Sequence, residues 1–323
     1  MSSTYSIPIE GVRIGHAIDA EVVTGTSTCL FDEPATTAIH IAGGAPGTRD
    51  TELLSPEFTV GAADAIVLSG GSAFGLDAAG GAQAWLKEQN RGIELEPVRI
   101  PIVPCAILFD MRNDGNKNWG RFSPSQNLGY QATETSSTEV RLGKQGAAYG
   151  ASTASTPGGF GAAHIKIDDI SVMAFAAVNA VGSPLIADTK HFWAAPFERN
   201  NEYGGRGFPN PWPADADTPR TKAGQRVAGA NTTLAIVVTD AVLTPSQAKR
   251  IAMASHDGFA RALYPVHTSA DGDLTFVAST GRKTVTDDQL IDIGIQAANV
   301  VSRAIARGVY VSMQEESKQE APN

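Results

Sequence analysis

Residues 229–241 read GANTTLAIVVTDA, an apolar, β-branched run that begins with Thr232 and follows directly on an asparagine. Val, Ile and Thr suit a pleated, buried surface, so the run predicts a strand covered on both faces. The next segment, LTPSQAKRIAMASHDGFARAL, has helical apolar spacing, with Thr244 placed as N-cap and Pro245 at the first helical position. Leu274 opens a second apolar run, LTFVAST, and Thr286 opens a second periodic segment, TDDQLIDIGIQAANVVSRAIARGV. Strand, helix, strand, helix in that order predicts an α/β protein. The closing SMQEESKQEAPN is polar and is expected to fray.

Working back from Thr232, residues 188–230 replace apolar periodicity with Pro, Gly, Asn and charge. A loop of that length inside a compact domain is uncommon, and it signals either function or disorder. Before it lie DAIVLSGG, an apolar strand ending in glycines, and SAFGLDAAGGAQAWLKEQN, with the spacing of a helix. RIPIVPCAILFDM and ISVMAFAAVNAVG read as central strands, although periodicity alone does not separate short apolar runs from buried helix. Residues 136–163 between them are rich in Gly, Ala, Ser and Thr, which predicts closely packed backbone, and PGGFG marks a tight turn. No internal repeat is visible.

A chain of 323 residues can bury an adequate core as one large domain or two small ones. With 42% apolar, 18% charged and 7% aromatic residues it reads as globular and rich in small side chains. The net charge of −9, with no compensating basic cluster, argues against nucleic acid and anionic membranes and leaves a small molecule or peptide as partner. Cys29 and Cys105 sit in apolar runs and read as core residues without a disulfide, which favours a cytoplasmic setting. MSSTYSIPIEG carries no signal-peptide pattern, and no run reaches the roughly 18 apolar residues of a membrane span. His16, His40, His164, His191, His256 and His267 show no close paired spacing, so neither a metal nor another cofactor is expected.

The chemistry turns on Asn231-Thr232. A threonine hydroxyl needs a base, and one solution is the same residue's free α-amine, which titrates at roughly 7.7–8.0. That amine exists only if the chain is cut. A strained junction at the end of the long polar segment would let the Thr232 hydroxyl attack the Asn231 carbonyl, and hydrolysis of the ester would leave Thr232 as a new N-terminus. The plain alternative is a strand opened by β-branched residues after a turn. In HTSADGDLTF, Asp271 and Asp273 flank Gly272; the pair is either an ordinary turn or two carboxylates that orient an amine and a hydroxyl, and the full Asp-rich calcium pattern does not continue. Asn179, at the end of ISVMAFAAVN, is either a strand-end turn residue or an oxyanion donor. LSGGSAFG offers free backbone N–H groups around Gly71 and Ser72 for an anion, but it is neither a Walker loop nor a nucleophile elbow, which makes Ser72 a weaker rival nucleophile.

Taken together, GGAPGTRDTELLSP, DAIVLSGGSAFGLDAAGG, IPIVPCAILFD, NTTLAIVVTDA and AMASHDGFARALYPVHTSADGDLTFVASTG resemble, in the same order, the self-processing aminopeptidases that include L-aminopeptidase/D-esterase-amidases, β-peptidyl aminopeptidases and the nylon-oligomer (6-aminohexanoate) endo-hydrolase. The resemblance runs from about Gly11 to Tyr310. It implies a four-layer αββα sandwich resembling N-terminal-nucleophile hydrolases with different connectivity, cut into α (1–231) and β (232–323) chains that assemble as a homo-oligomer, by default a tetramer of αβ pairs. It places the nucleophile on Thr232, the oxyanion asparagine on Asn179 and two acidic neighbours on Asp271 and Asp273. The family's active-site tyrosine falls on Phe109, and the lysine of the nylon-oligomer enzyme has no counterpart, with Pro157, Lys144 and Lys166 nearby. The implied activity is hydrolysis of amino-acid amides, short peptides, β-peptides or ω-amino-acid oligomers, with acyl transfer to an amine, or a binding protein without turnover, as alternatives.

Overall fold

Alternate side chains of a strand point to opposite faces, and in the computed structural model, which describes residues 3–222 and 231–319, those faces meet different partners. The N-terminal part holds β1 (Thr4–Ser6), β2 (Val12–Asp19), β3 (Thr24–Ile41), β4 (Thr48–Arg49) and β5 (Ala62–Ser69). Then come α1 (Ala78–Glu88), the hairpin β6 (Ile93–Leu95) and β7 (Val98–Ile100), β8 (Cys105–Ile107), α2 (Ser125–Glu134) and β9 (Glu139–Arg141). The second half comprises β10 (Gly159–Ile167), β11 (Ile170–Asn179), β12 (Thr232–Ala241), α3 (Pro245–Ala260), β13 (Leu274–Lys283) and α4 (Asp287–Gln319).

The main strands run β10-β11-β12-β13-β3-β5-β8-β4, with β2 also on β3. The first part of β3 pairs with β2 and β5, and its last part, Thr36–Ile41, pairs with β13. A register shift between Leu30 and Ala35 separates the two parts, so one strand passes from one sheet layer into the other.

Three cores follow from this folding-over. Phe175, Leu234, Ile236 and Phe276 meet Cys29, Phe31, Ile66 and Leu68 between the two sheet layers. The intervening residues Ala174, Ala235, Val237 and Val277 face outward onto α3 and α4. On the far side Leu30, Ala65 and Val67 pack on α1, and Ala17 packs on α2. The result is the αββα sandwich, with helices α3 and α4, two sheet layers, and helices α1 and α2. Small residues make the layers close: a Cβ at Gly161 would lie 1.9 Å from the Ala304 carbonyl oxygen of α4, so the Gly/Ala-rich stretch is packed backbone, as its composition predicts.

Several local expectations hold. Thr244 caps α3 in a full capping box with Gln247, and Pro245 is its first residue. Both cysteines are free and buried. Among the described residues no helix is long and apolar enough to cross a membrane.

Others are corrected. The segment after Gly71 opens as a 3-10 helix, Ser72–Asp77, before α1 begins. RIPIVPCAILFDM is no single central strand: Arg99 and Ile100 end β7 and Cys105–Ile107 form β8, with Pro101 and Pro104 removing ladder donors between them. The PGGFG glycines Gly159 and Gly161 lie inside β10, and the reversal precedes them at the Ser152–Pro157 bridge. The polar C-terminal stretch stays helical through Gln319, since Glu315 accepts the Lys144 backbone N–H at 3.0 Å and Glu316 pairs with the Lys144 ammonium at 2.6 Å.

Candidate active site

Asn179 is the last residue of β11 and Thr232 the first of β12, and antiparallel pairing sets them opposite each other. Both are buried, Thr232 at 2% exposure. Asn231 continues the alignment as a bridge to Asp271, so the sequence-predicted junction lies beside the Asp-Gly-Asp turn that leads into β13.

The junction itself is tightly arranged. Thr232 Oγ1 stands 2.5 Å from the Asn231 carbonyl oxygen, to which it donates. The Gly272 N–H donates to that same oxygen at 2.8 Å. A Cβ on residue 272 would come within 2.5 Å of Thr232 Oγ1, which is why the residue between the aspartates has no side chain. The turn is held from behind by the GGAPG stretch, where Gly43 N–H donates to Asp273 O and Ala45 N–H to Asp271 O.

The two aspartates have different duties. Asp273 Oδ1 accepts the Thr233 N–H at 2.7 Å, and Oδ2 faces His267 Nδ1 at 2.9 Å. Asp271 Oδ2 accepts both the backbone N–H and the hydroxyl of Thr268, and Oδ1 accepts the Val181 N–H at 3.4 Å. Burial, reinforced by the neighbouring Asp273, pushes the Asp271 carboxyl above the usual carboxylate range. Asp273 thus fixes the backbone just past Thr232, and Asp271 fixes the turn.

Asn179 is oriented by a residue that sequence reasoning missed. Lys222, buried in the long polar segment, donates from Nζ to Asn179 Oδ1 at 2.9 Å, and Ser152 N–H donates to the same oxygen at 3.1 Å. An ammonium only donates, so the amide must turn its oxygen to Lys222 and its nitrogen the other way. That nitrogen donates to the Phe109 carbonyl at 2.8 Å; an amide carries two N–H groups, so one remains for an oxyanion. Burial lowers the Lys222 pKa to about 7, with Asp271 opposing the shift. Of Pro157, Lys144 and Lys166, near the expected lysine position, none donates to Asn179; Lys222 does. Lys144 and Pro157 do line the cavity, but the Lys144 ammonium is paired with Glu316, and Lys166 lies on another cavity beside His164 and Arg303.

A cavity of about 400 Å³ leads to this arrangement, lined by Phe109, Lys144, Tyr149, Ser152, Pro157 and Asn179. It reaches Asn179 and not Thr232. The anion site expected at Gly71 and Ser72 is not formed: Gly71 N–H donates to Asp110 Oδ1 at 2.7 Å and Ser72 N–H to the Leu108 carbonyl, which consumes the donors. Asp110 also accepts from the Thr24 hydroxyl at 2.7 Å, so this turn braces the segment after β8 that bears Phe109.

The chain is similar to known proteins. The sequence profile described as Peptidase family S58 matches residues 7–321. An uncharacterized aminopeptidase of Mycobacterium tuberculosis is 34% identical, over 93% of this chain and 92% of its own. A 6-aminohexanoate-oligomer endohydrolase of Paenarthrobacter ureafaciens is 29% identical, over 84% of this chain and 73% of its own. The L-aminopeptidase D-Ala-esterase/amidase of Ochrobactrum anthropi, described as a variant of the Ntn hydrolase fold, superposes with a TM-score of 0.68 at 17% identity, covering 94% of this chain and 86% of its own. The β-aminopeptidase of a Burkholderia species gives 0.65 at 18% identity, covering 98% and 93%.

Proposed function

The chain belongs to peptidase family S58 and is a hydrolase of peptide and amide bonds, and we propose that it cuts itself between Asn231 and Thr232 and then uses Thr232 as an N-terminal nucleophile. The observation that carries this reading is the Asn231 carbonyl oxygen, approached by Thr232 Oγ1 at 2.5 Å and already held by the Gly272 N–H. A backbone donor aimed at that oxygen is what a tetrahedral intermediate at Asn231 requires.

The steps follow from the groups present. Thr232 Oγ forms a bond to the Asn231 carbonyl carbon, the C–N bond breaks, and the hydroxyl proton ends on the Thr232 nitrogen. Water then hydrolyses the ester, leaving the Asn231 carboxylate and the Thr232 ammonium. Once deprotonated, that amine accepts the Thr232 hydroxyl proton as the nucleophile attacks a substrate carbonyl. The free N–H of Asn179 stabilises the substrate oxyanion, Asp273 holds the backbone behind Thr232, and Asp271 holds the turn. The uncut chain buries Thr232, so cutting also opens the nucleophile to the cavity at Asn179.

Amino-acid amides, short peptides, β-peptides and ω-amino-acid oligomers are the substrate classes this reading covers, the last in line with the named activity of the Paenarthrobacter relative. Intact mass under denaturing conditions tests it. Two fragments meeting at Asn231/Thr232 are expected, with Thr232→Ala remaining one inactive chain. A Thr232→Ala protein that is cut and active would overturn the reading.

A further inference from the structure

His256 and His267 are 11 residues apart and His40 lies far from both in sequence, yet the fold lines them up behind Asp273. His267 Nδ1 faces Asp273 Oδ2 at 2.9 Å, His267 Nε2 faces His256 Nδ1 at 3.2 Å, and His256 Nε2 faces the His40 carbonyl oxygen at 3.1 Å. The row begins at a carboxylate and ends at a carbonyl, and neither of these donates. Three hydrogen bonds therefore need three protons, whereas two neutral imidazoles carry two.

The missing proton can be located. His256 must hold its proton on Nε2 to donate to the His40 carbonyl, which leaves Nδ1 as an acceptor for His267 Nε2–H. His267 then needs a second proton on Nδ1, or else Asp273 must be protonated. Asp273 also accepts the Thr233 N–H at 2.7 Å and the His267 N–H at 3.2 Å, and backbone donors favour the ionised carboxylate. The backbone of His267 supports this placement: φ is +54°, the left-handed region that non-glycine residues rarely adopt, and it brings ring and N–H together onto Asp273.

We propose that Asp273, His267 and His256 act as one unit with the extra proton on His267, and that this imidazolium is a positioning group that holds Asp273 as a carboxylate against the backbone behind Thr232. The inference rests on Thr232 being the nucleophile only in its consequence for activity; the protonation pattern stands apart from it. The surroundings agree. Burial and the charge of His267 lower His256 to about pKa 4, which keeps that ring neutral. From α3, His256 and the Phe259 ring lie against His267; Asp273 faces it from the turn just before β13; burial, with Lys249 and His267 adding to it, lowers His40 on β3; Asp271 interacts with Asp273 from the same turn.

Proton–nitrogen correlation spectra of the histidine rings near neutral pH test the unit, with His267→Asn used for assignment. Both ring nitrogens of His267 protonated, and His256 neutral with its proton on Nε2, is the expected pattern. A bare ring nitrogen on His267, or a charged His256, would overturn the proposal whether or not the chain is cut. The rate of chain cleavage, followed by intact mass, gives the second readout. His267→Asn and Asp273→Asn should each slow it roughly ten- to a hundredfold, the range for one lost hydrogen bond to a charged group. Their combination should be no slower than the worse single variant, and additive losses would remove His267 from Asp273's line of action. His256→Phe, which takes away the acceptor for the His267 Nε2–H, should also slow cleavage; an unchanged rate in a folded variant counts against the unit. If the wild-type chain is never cut, the nucleophile assignment fails while the spectra still decide the proton's place.

Discussion

Asn179 and Thr232 sit directly across from each other at the ends of adjacent antiparallel strands, and the amide of one is turned by Lys222 while the hydroxyl of the other rests on the Asn231 carbonyl. In the proposed reaction two different donors serve two different carbonyls. Gly272 N–H is aimed at the chain's own carbonyl, and the Asn179 amide at the cavity side. Asn179→Ala should therefore leave a cut protein whose turnover on amino-acid amides falls about 10²–10³-fold, the cost of one oxyanion donor. An uncut Asn179→Ala chain, or one with unchanged turnover, would contradict this division.

Gly272→Ala addresses the other donor. Its Cβ would stand 2.5 Å from Thr232 Oγ1 and 2.9 Å from the Ala45 carbonyl oxygen, so either the hydroxyl or the turn must move. Cleavage is expected to stall, leaving most of the protein at full-length mass after an incubation that fully processes the wild type. Normal processing in this variant would show that the close fit of residue 272 against Thr232 plays no part in the cut.

Much of this was legible before the fold was known. Thr232, Asn179, Asp271 and Asp273 each stand at a strand end or in a turn that local patterning marks, and the strand-helix-strand-helix order from Thr232 onward gives the parallel pairing of β12 and β13. Lys222 was not, because it lies in a Pro/Gly-rich segment without periodicity, and its burial on Asn179 is a tertiary fact. The histidine row was hidden for a related reason: His40 belongs to β3 and His256 to α3, and only the packing of that helix on that strand joins them. The C-terminal helix outran its expected end because its polar residues find Lys144, a partner that no local window contains.

The long segment before the junction is anchored by a buried ion pair. Glu202 receives Arg303 from α4 through Nε at 2.5 Å and Nη2 at 3.0 Å, with side-chain exposures of 9% and 7%. Glu202→Gln strips the carboxylate from Arg303 and the nearby Arg307, leaving buried cations underpaired. Loss of about 3–5 kcal/mol in urea-unfolding stability is expected. A loss below about 1 kcal/mol would mean that water screens the pair as it does at a surface.

Lys222 makes stability depend on pH in a direction that can be worked out. Its folded pKa is lowered from 10.5 to about 7 by burial. Between those values the unfolded chain holds a proton that the folded chain has released, so raising the pH favours folding. Below about 7 both states are protonated and the buried ammonium's penalty is constant. In the uncut Thr232→Ala background, which keeps residues 222 and 232 on one chain, the Tm of the parent should rise relative to that of Lys222→Met as pH increases from 7 toward 10.5. Subtracting the two profiles removes the raised carboxyl of Asp110, which acts in both proteins. Parallel Tm profiles would show that Lys222 keeps its ordinary proton affinity when folded; the Asn179 orientation it imposes would then be that of a permanent cation rather than of a group half titrated near neutrality.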